Sequence, residues 1–446
     1  MHRSRSVVLS IIATLALAAT GCDRRAEVPP EGVLLRISCG AVGLELTLCR
    51  EGAERWATAT GNRVEVISTP NSTTERLALY QQLLGAGADD IDVLQVDVVW
   101  PGILATHLVD LAPMTAGAEE AHFRAIIENN TVAGRLVAMP WFTDAGVLYY
   151  RTDLLEKYGE AVPRTWAELT RTAARIQAAE RSGGNDRMWG FVWQGRAYEG
   201  LTCNALEWIA SHGGGTLVDA TGRATVDNPR AAAALELAAS WVGTISPPGV
   251  LNYAEEEARG VFQSGNAVFM RNWPYAWSLA QGADSPIRSR VEVAALPAAP
   301  GGHGVATLGG WQLAVSRYSR HPQIATELVL FLTSPEEQAR RAIAGGYNPT
   351  IRALYDSPEV LAANPFYERL QETFANAVPR PSSMAGARYN EFSSEFWRAV
   401  SSVLAGRASG SAALAGLAPR LEHLMQAAGS EAGAPVQAPA QTAPGP

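Results

Sequence analysis

A carboxylate at the end of an apolar strand has no packing reason to be there. Asp97 holds such a place, closing the run DVLQVD from Asp92. The rival role for Asp97 is to cap the turn into Val98–Trp100. Asp144 ends PWFTD, expected as a bend between two extended segments, with Trp141 and Phe142 beside it. Glu45 stands at a helix start, where the dipole alone favours a negative charge. Trp273 and Tyr275 lie two residues apart in a Pro-containing turn, so both can project to one side. Gly309-Gly310-Trp311 joins two residues that permit close backbone approach to an aromatic plate. Arg380 lies between Pro379 and Pro381, where a stiff backbone can hold its guanidinium. Carboxylates that accept in pairs, an Arg fork and aromatic plates suit a hydroxyl-rich ligand with weakly apolar ring faces. The same groups could serve glycoside hydrolysis, which needs an acid and a base or nucleophile about 5–10 Å apart. Glu45, Asp97 and Asp144 could be cast in those parts, but no GxSxG, HExxH or phosphate loop accompanies them.

Positioning these groups falls to alternating strands and helices. Short apolar runs at Leu34–Ser38, Arg63–Ser68 and Ile91–Gln95 read as strands. Helices at Glu45–Thr60 and Thr74–Gly85 come between them, which predicts βαβ units and a mainly parallel sheet. In such sheets ligands bind where loops converge at the carboxyl ends of the strands. Gly134–Pro140 and Ala145–Arg151 are extended. Helices are expected at Thr165–Arg181, Leu201–His212, Pro229–Val242, Glu255–Ser264 and Pro322–Leu332. Further strands are expected at Ala267–Arg271, Val291–Ala295 and Gln312–Ser316. Asn71 and Ser72, in the loop after the second strand, are secondary candidates for ligand contact. Trp277 is assigned to the core.

The ends of the chain speak of location. Arg3 and Arg5 precede a 14-residue apolar run, Val7–Thr20, and then Gly21-Cys22. That is the layout of a secretory signal, too short to span a roughly 30 Å hydrocarbon core. Ala19-Thr20-Gly21-Cys22 resembles a bacterial lipobox, which makes Cys22 the acylated residue and 22–32 a tether. Ala427–Pro446 is rich in Ala, Pro and Gly without periodicity and is expected to be disordered. The 446 residues carry a formal net charge of −8, with acidic and basic residues interspersed. Nothing there is basic enough for nucleic acid. The chain left between tether and tail is too long for one hydrophobic core, so two domains are expected. Beyond Cys22 there are Cys39, Cys49 and Cys203; Cys39 and Cys49 are the nearest pair in an oxidising compartment. No clustered Cys or His suggests a metal, and no cofactor motif appears.

Several segments together resemble extracellular solute-binding proteins of the maltose-binding type, closest to trehalose/maltose-binding members. They are DVLQVDVVW (Asp92–Trp100), AMPWFTDAGVLYYRTD (Ala138–Asp153), FQSGNAVFMRNWPYAW (Phe262–Trp277), TLGGWQLAVS (Thr307–Ser316) and Ala325–Tyr347. The resemblance implies a two-lobe α/β fold of periplasmic-binding type II, with three inter-lobe crossovers closing on a sugar like a hinge. It assigns 33–140 with 271–309 to lobe 1 and 144–270 with 315–426 to lobe 2. It implies sugar contacts from Glu45, Asp97, Phe142, Asp144, Trp273, Tyr275, Gly309, Gly310, Trp311 and Arg380. The glycine backbone would donate and Arg380 would act as a fork to hydroxyls. Phe142 stands where close relatives look to carry Tyr, so stacking is kept and a hydroxyl lost. The implied function is a non-enzymatic, monomeric, lipid-anchored binder that delivers an α-linked disaccharide to an ATP-driven permease. Sucrose, glucosylglycerol and longer α-glucans remain open as ligands.

Overall fold

The computed structural model describes residues 32–368, 373–374 and 377–432. Strand β1 (Leu34–Cys39) leads into helix α1 (Glu45–Thr60). The helix stops because Gly61 adopts φ 75° and returns its N–H to the Ala57 carbonyl. Strand β2 (Arg63–Ser68) then pairs parallel with β1. Helix α2 (Thr73–Gly85) is capped by Ser72, whose hydroxyl accepts from the Glu75 N–H. Strand β3 (Val93–Asp97), buried throughout, lies parallel on the other side of β1. A short hairpin, β4 (Thr131–Val132) and β5 (Arg135–Leu136), precedes β6 (Met139–Ala145) and β7 (Val147–Arg151).

The second half supplies α3 (Trp166–Ser182), β8 (Trp189–Val192), α4 (Glu199–Ser211), α5 (Pro229–Trp241) and α6 (Glu255–Gln263). Then come β9 (Ala267–Asn272), β10 (Val291–Ala294), β11 (Leu308–Val315), α7 (Pro322–Leu332) and α8 (Pro335–Gly345). Two helices, α9 (Tyr389–Leu404) and α10 (Gly410–Ala432), close the described chain.

Two sheets carry the architecture. One has the order β2-β1-β3-β11-β6, the other β10-β7-β9-β8. Both are mixed, because β11 runs antiparallel to β3 and β6, and β7 antiparallel to β9 and β10. The βαβ units expected at the start of the chain are present, since β2, β1 and β3 pair parallel, and in each sheet a single strand, β11 or β7, runs against the others, which local patterning does not reveal. Strands β6 and β7 are separated only by Gly146 yet enter different sheets. A Cβ on Gly146 would sit 2.0 Å from the Glu207 carboxylate, so the crossing passes through a gap only glycine fits.

The expected division of the lobes differs at both late segments. Residues 271–309 were assigned to the first lobe, but β10 pairs with β7 from Val291–Arg151 to Ala294–Leu148, in the second sheet. Residues 315–426 were assigned to the second lobe, but α7 and α8 pack on α1, and α7 also on β11, beside the first sheet. Only α9 and α10 join the second, against α4 and α5. The segment 141–144, expected as a bend, is continuous strand within β6. Gly309, Gly310 and Trp311 lie inside β11.

Cys39 and Cys49 form a disulfide tying β1 to α1, and Cys203 is free and buried. Helix α10 runs to Ala432, so the expected disordered tail does not begin at Ala427. The signal segment, Cys22, the tether to residue 31 and residues 433–446 lie outside the described residues. No described helix is long and apolar enough to cross a membrane.

Candidate functional site

Three neighbouring strands set the floor of a cleft. In the register of the first sheet Asp97 lies opposite Trp311, Trp311 opposite Phe142, and Gly309 opposite Asp144. Three of the residues singled out by sequence, Asp97, Trp311 and Phe142, thus align across β3, β11 and β6, with the Gly309–Asp144 pair two positions further along. From the second sheet, β9 ends at Asn272 and delivers Trp273 and Tyr275 to the same space. Glu45 enters from the start of α1 and Arg380 from the segment before α9. All nine of these residues, and Gly310 with them, line one cleft.

The glycines act by what they lack. A Cβ on Gly309 would lie 3.0 Å from the Trp273 ring and 3.2 Å from the Asp144 Cβ. Gly310 has φ 128°, and its Cβ would meet the Phe142 carbonyl at 2.6 Å. The backbone there is used in strand pairing, and Gly310 O accepts from Val98 N–H at 3.0 Å. The missing Cβ atoms allow Trp273 and Asp144 to approach closely.

The aromatic plates are held from behind. Trp311 is edge-on to Trp100 at 5.5 Å, and the Arg76 guanidinium covers its ring at 4.3 Å. Trp273 donates from Nε1 to Glu255 at 3.3 Å and carries Arg271 on its face at 3.9 Å. Tyr275 donates to Glu256 and stacks within 12° of parallel on Tyr347. Asn71 lines the cleft, while Ser72 serves as the cap of α2. Trp277 is core and donates to the Ala363 carbonyl.

The charged groups divide into met and unmet. Arg380 donates to Glu199 at 2.7 Å, to Asp97 at 3.4 Å and to the Leu308 carbonyl at 3.3 Å. It thus bridges buried carboxylates from the two lobes and keeps its Nε without a hydrogen-bond partner. Glu199 also accepts from Tyr389 and Ser393, both at 2.6 Å. Asp97 caps the turn that follows, since its Oδ1 accepts from Val99 N–H at 3.1 Å, and it also lines the cleft. Burial pushes the Asp97 carboxyl up to about 6, with Arg380 pulling it back. Asp144 is 8% exposed, and its Oδ1 has no hydrogen-bond partner. Burial, and then the charge of Glu45, hold its carboxyl well above the usual range. Glu45 is raised by burial against the pull of Arg76 and accepts only a long 3.5 Å bond from Gln95 Nε2. A carboxyl short of donors, walled by aromatic rings, is arranged to accept hydrogen bonds from the hydroxyls of a guest.

Sequence reasoning missed Glu199, Glu255 and Tyr347, which also line the cleft. The signal for Glu199 was present: α4 is apolar almost throughout, yet carries Glu199, Asn204 and Glu207, all buried. Among the described residues no group of His, Cys, Asp and Glu could hold a metal ion.

The comparisons agree with this geometry. Residues 50–339 match the model of the bacterial extracellular solute-binding protein family. A probable ABC transporter-binding protein of Deinococcus radiodurans is 52% identical over 394 residues, covering 88% of this chain and 94% of that protein. Among solved structures, maltose-bound MalE3 of T. maritima has a TM-score of 0.84 at 42% identity. The match covers 88% of this chain and 100% of that one. A solute-binding protein of Thermotoga lettingae bound with α-D-tagatose, at 22% identity and TM-score 0.79, shares the fold over 89% of this chain. The chain belongs to the bacterial extracellular solute-binding protein family, a family of binders and not of enzymes.

Proposed function

We propose that this protein is the ligand-capturing component of an ABC sugar importer, and that it takes an α-linked disaccharide of the maltose/trehalose type into the cleft. The observation that carries the reading is Asp144. A carboxylate oxygen with no partner, enclosed beside Trp273, Phe142 and Glu45, asks for hydroxyl donors and ring faces together. Glu45, Asp97, Asp144 and Arg380 take the hydroxyls, while Phe142, Trp273, Tyr275 and Trp311 take the apolar ring faces. The maltose in the 42% identical relative supports the ligand class. An acylated Cys22 would hold the protein at the outer face of a membrane beside its permease, which senses lobe closure in a monomeric binder. Sugar that prefers the closed state shifts the population toward it.

The test is isothermal titration of protein beginning at Asp23 against maltose, trehalose, sucrose, glucosylglycerol and maltotriose. Tight binding of one α-linked disaccharide, lost in Asp97→Ala and Trp273→Ala, is expected. Binding of a different glycoside alone would move the assignment to that ligand, and silence from all five would remove the sugar reading.

A further inference from the structure

Beneath the aromatic floor of the cleft lies a guanidinium with nothing to bond. Arg341, on α8, is 1% exposed, and none of its three guanidinium nitrogens has a hydrogen-bond partner. The carboxylate nearest in its own helix is spoken for, since Glu337 already takes Arg55 and Arg340. Trp141 Nε1, both amide atoms of Asn348 and Asp144 Oδ1 are orphaned as well. Buried polar groups are seldom left so, and ordered water or an opposite charge meets them. The Arg341 guanidinium lies 3.8 Å over Trp141, 4.9 Å over Tyr347 and 5.3 Å over Phe142. Phe142 and Tyr347 are edge to face at 4.9 Å and form part of the cleft wall.

We propose that Arg341 is a positioning residue for the ligand: through the water its open donors require, it supplies the counter-charge of Glu45 and Asp144, while its flat face fixes Phe142 and Tyr347. This rests on the sugar-binding reading. Glu45 also faces Arg76, Gln95 and Glu255, and Asp144 faces Glu45, Asp97 and Arg271. Around Arg341 itself stand Tyr347, Glu45, Arg340 and Glu337. Arg76 gives two bonds to the Pro70 carbonyl, keeps Nη1 open and acts on Glu45 alone of the two, and Arg271, which acts on Asp144, is bound to Glu207. That leaves Arg341 as the buried cation with open donors acting on both carboxylates.

The experiment is titration of the sugar that binds the wild type, from pH 5 to pH 8, with Arg341→Gln, Arg341→Lys, Glu45→Gln and Glu45→Gln/Arg341→Gln. Losing a nearby cation lets a carboxylate keep its proton to higher pH. Arg341→Gln should weaken binding about tenfold at pH 7 and move upward the pH at which affinity falls. Arg341→Lys should restore that pH, and the Gln change should cost less in the Glu45→Gln background. An unmoved pH profile with equal losses in both backgrounds would reduce Arg341 to packing and overturn the proposal. If Arg341→Gln does not fold, the charge-neutral double variant and the Lys profile decide the matter. A wild type that binds no sugar removes the parent reading and this inference with it. A wild type that binds, with an unmoved profile, removes this inference alone.

Discussion

Two buried guanidinium–carboxylate systems stand side by side in this molecule and are finished to different degrees. Arg271 and Glu207 are both 0% exposed and leave nothing open. Glu207 accepts from Arg271 Nε at 2.8 Å and from Thr307 N–H at 3.1 Å, and Arg271 donates on to Gln194 at 3.1 Å. In the cleft and beneath its floor, by contrast, Asp144 Oδ1 and all three Arg341 guanidinium nitrogens are open. A saturated pair fixes architecture: it seals the crossing at Gly146 and backs the Trp273 ring. An unsaturated set stores recognition, because a guest can supply what the protein left out.

The sharpest way to break this comparison is to open the closed pair. Arg271→Met strands Glu207 in the interior and should cost about 3–5 kcal/mol of stability in denaturant unfolding. Asp144→Asn, which removes a buried ionisable group with an open oxygen, should leave stability unchanged or raise it. If both lose stability equally, the distinction fails.

Asp97 sharpens it through pH. Its folded carboxyl is raised from 3.8 to about 6, so its contribution to stability is fully present below 3.8 and lost as pH rises through 6. The wild type without ligand should therefore lose on the order of 2–3 kcal/mol from this group between pH 4 and pH 7. Asp97→Asn should lack that component, read as the difference between the two pH–stability curves. Superimposable curves would contradict it.

On the binding side, Asp144→Asn should weaken sugar affinity by about 1.5–3 kcal/mol, the range for a bond to a charged acceptor. Calorimetry measures it, and unchanged affinity would mean that the guest ignores the open oxygen. The smallest effect belongs to the cleft mouth, where exposed Arg196 pairs with Glu75 across the lobes. Arg196→Ala should change stability by less than about 1 kcal/mol, with the change fading in high salt.

How much of this could be read from the chain depends on how local the cause is. Helix α1 could be placed from Glu45 to Thr60 because its stop is a single glycine, and β1 and β2 because their apolar patterns are short and bounded. That ten residues gather at one cleft was legible partly because a carboxylate ending an apolar strand, or an aromatic pair around a proline, is out of place by itself, and partly through the resemblance to sugar binders. What escaped was pairing. Nothing near Val291 says that it joins Arg151, and nothing near Gly309 says that it faces Asp144 in a strand rather than turning. Arg341 escaped for the same reason: in sequence it is one more charge in Pro335–Gly345, and only Trp141, Phe142 and Tyr347 closing over it make it singular.

The most direct test of the account is the structure of this protein with its disaccharide bound. The account predicts a sugar seated against Trp273 and Trp311, with a hydroxyl donating to Asp144 Oδ1 and another to Glu45. A sugar bound outside this cleft, or one that leaves Asp144 Oδ1 without a donor, would contradict it.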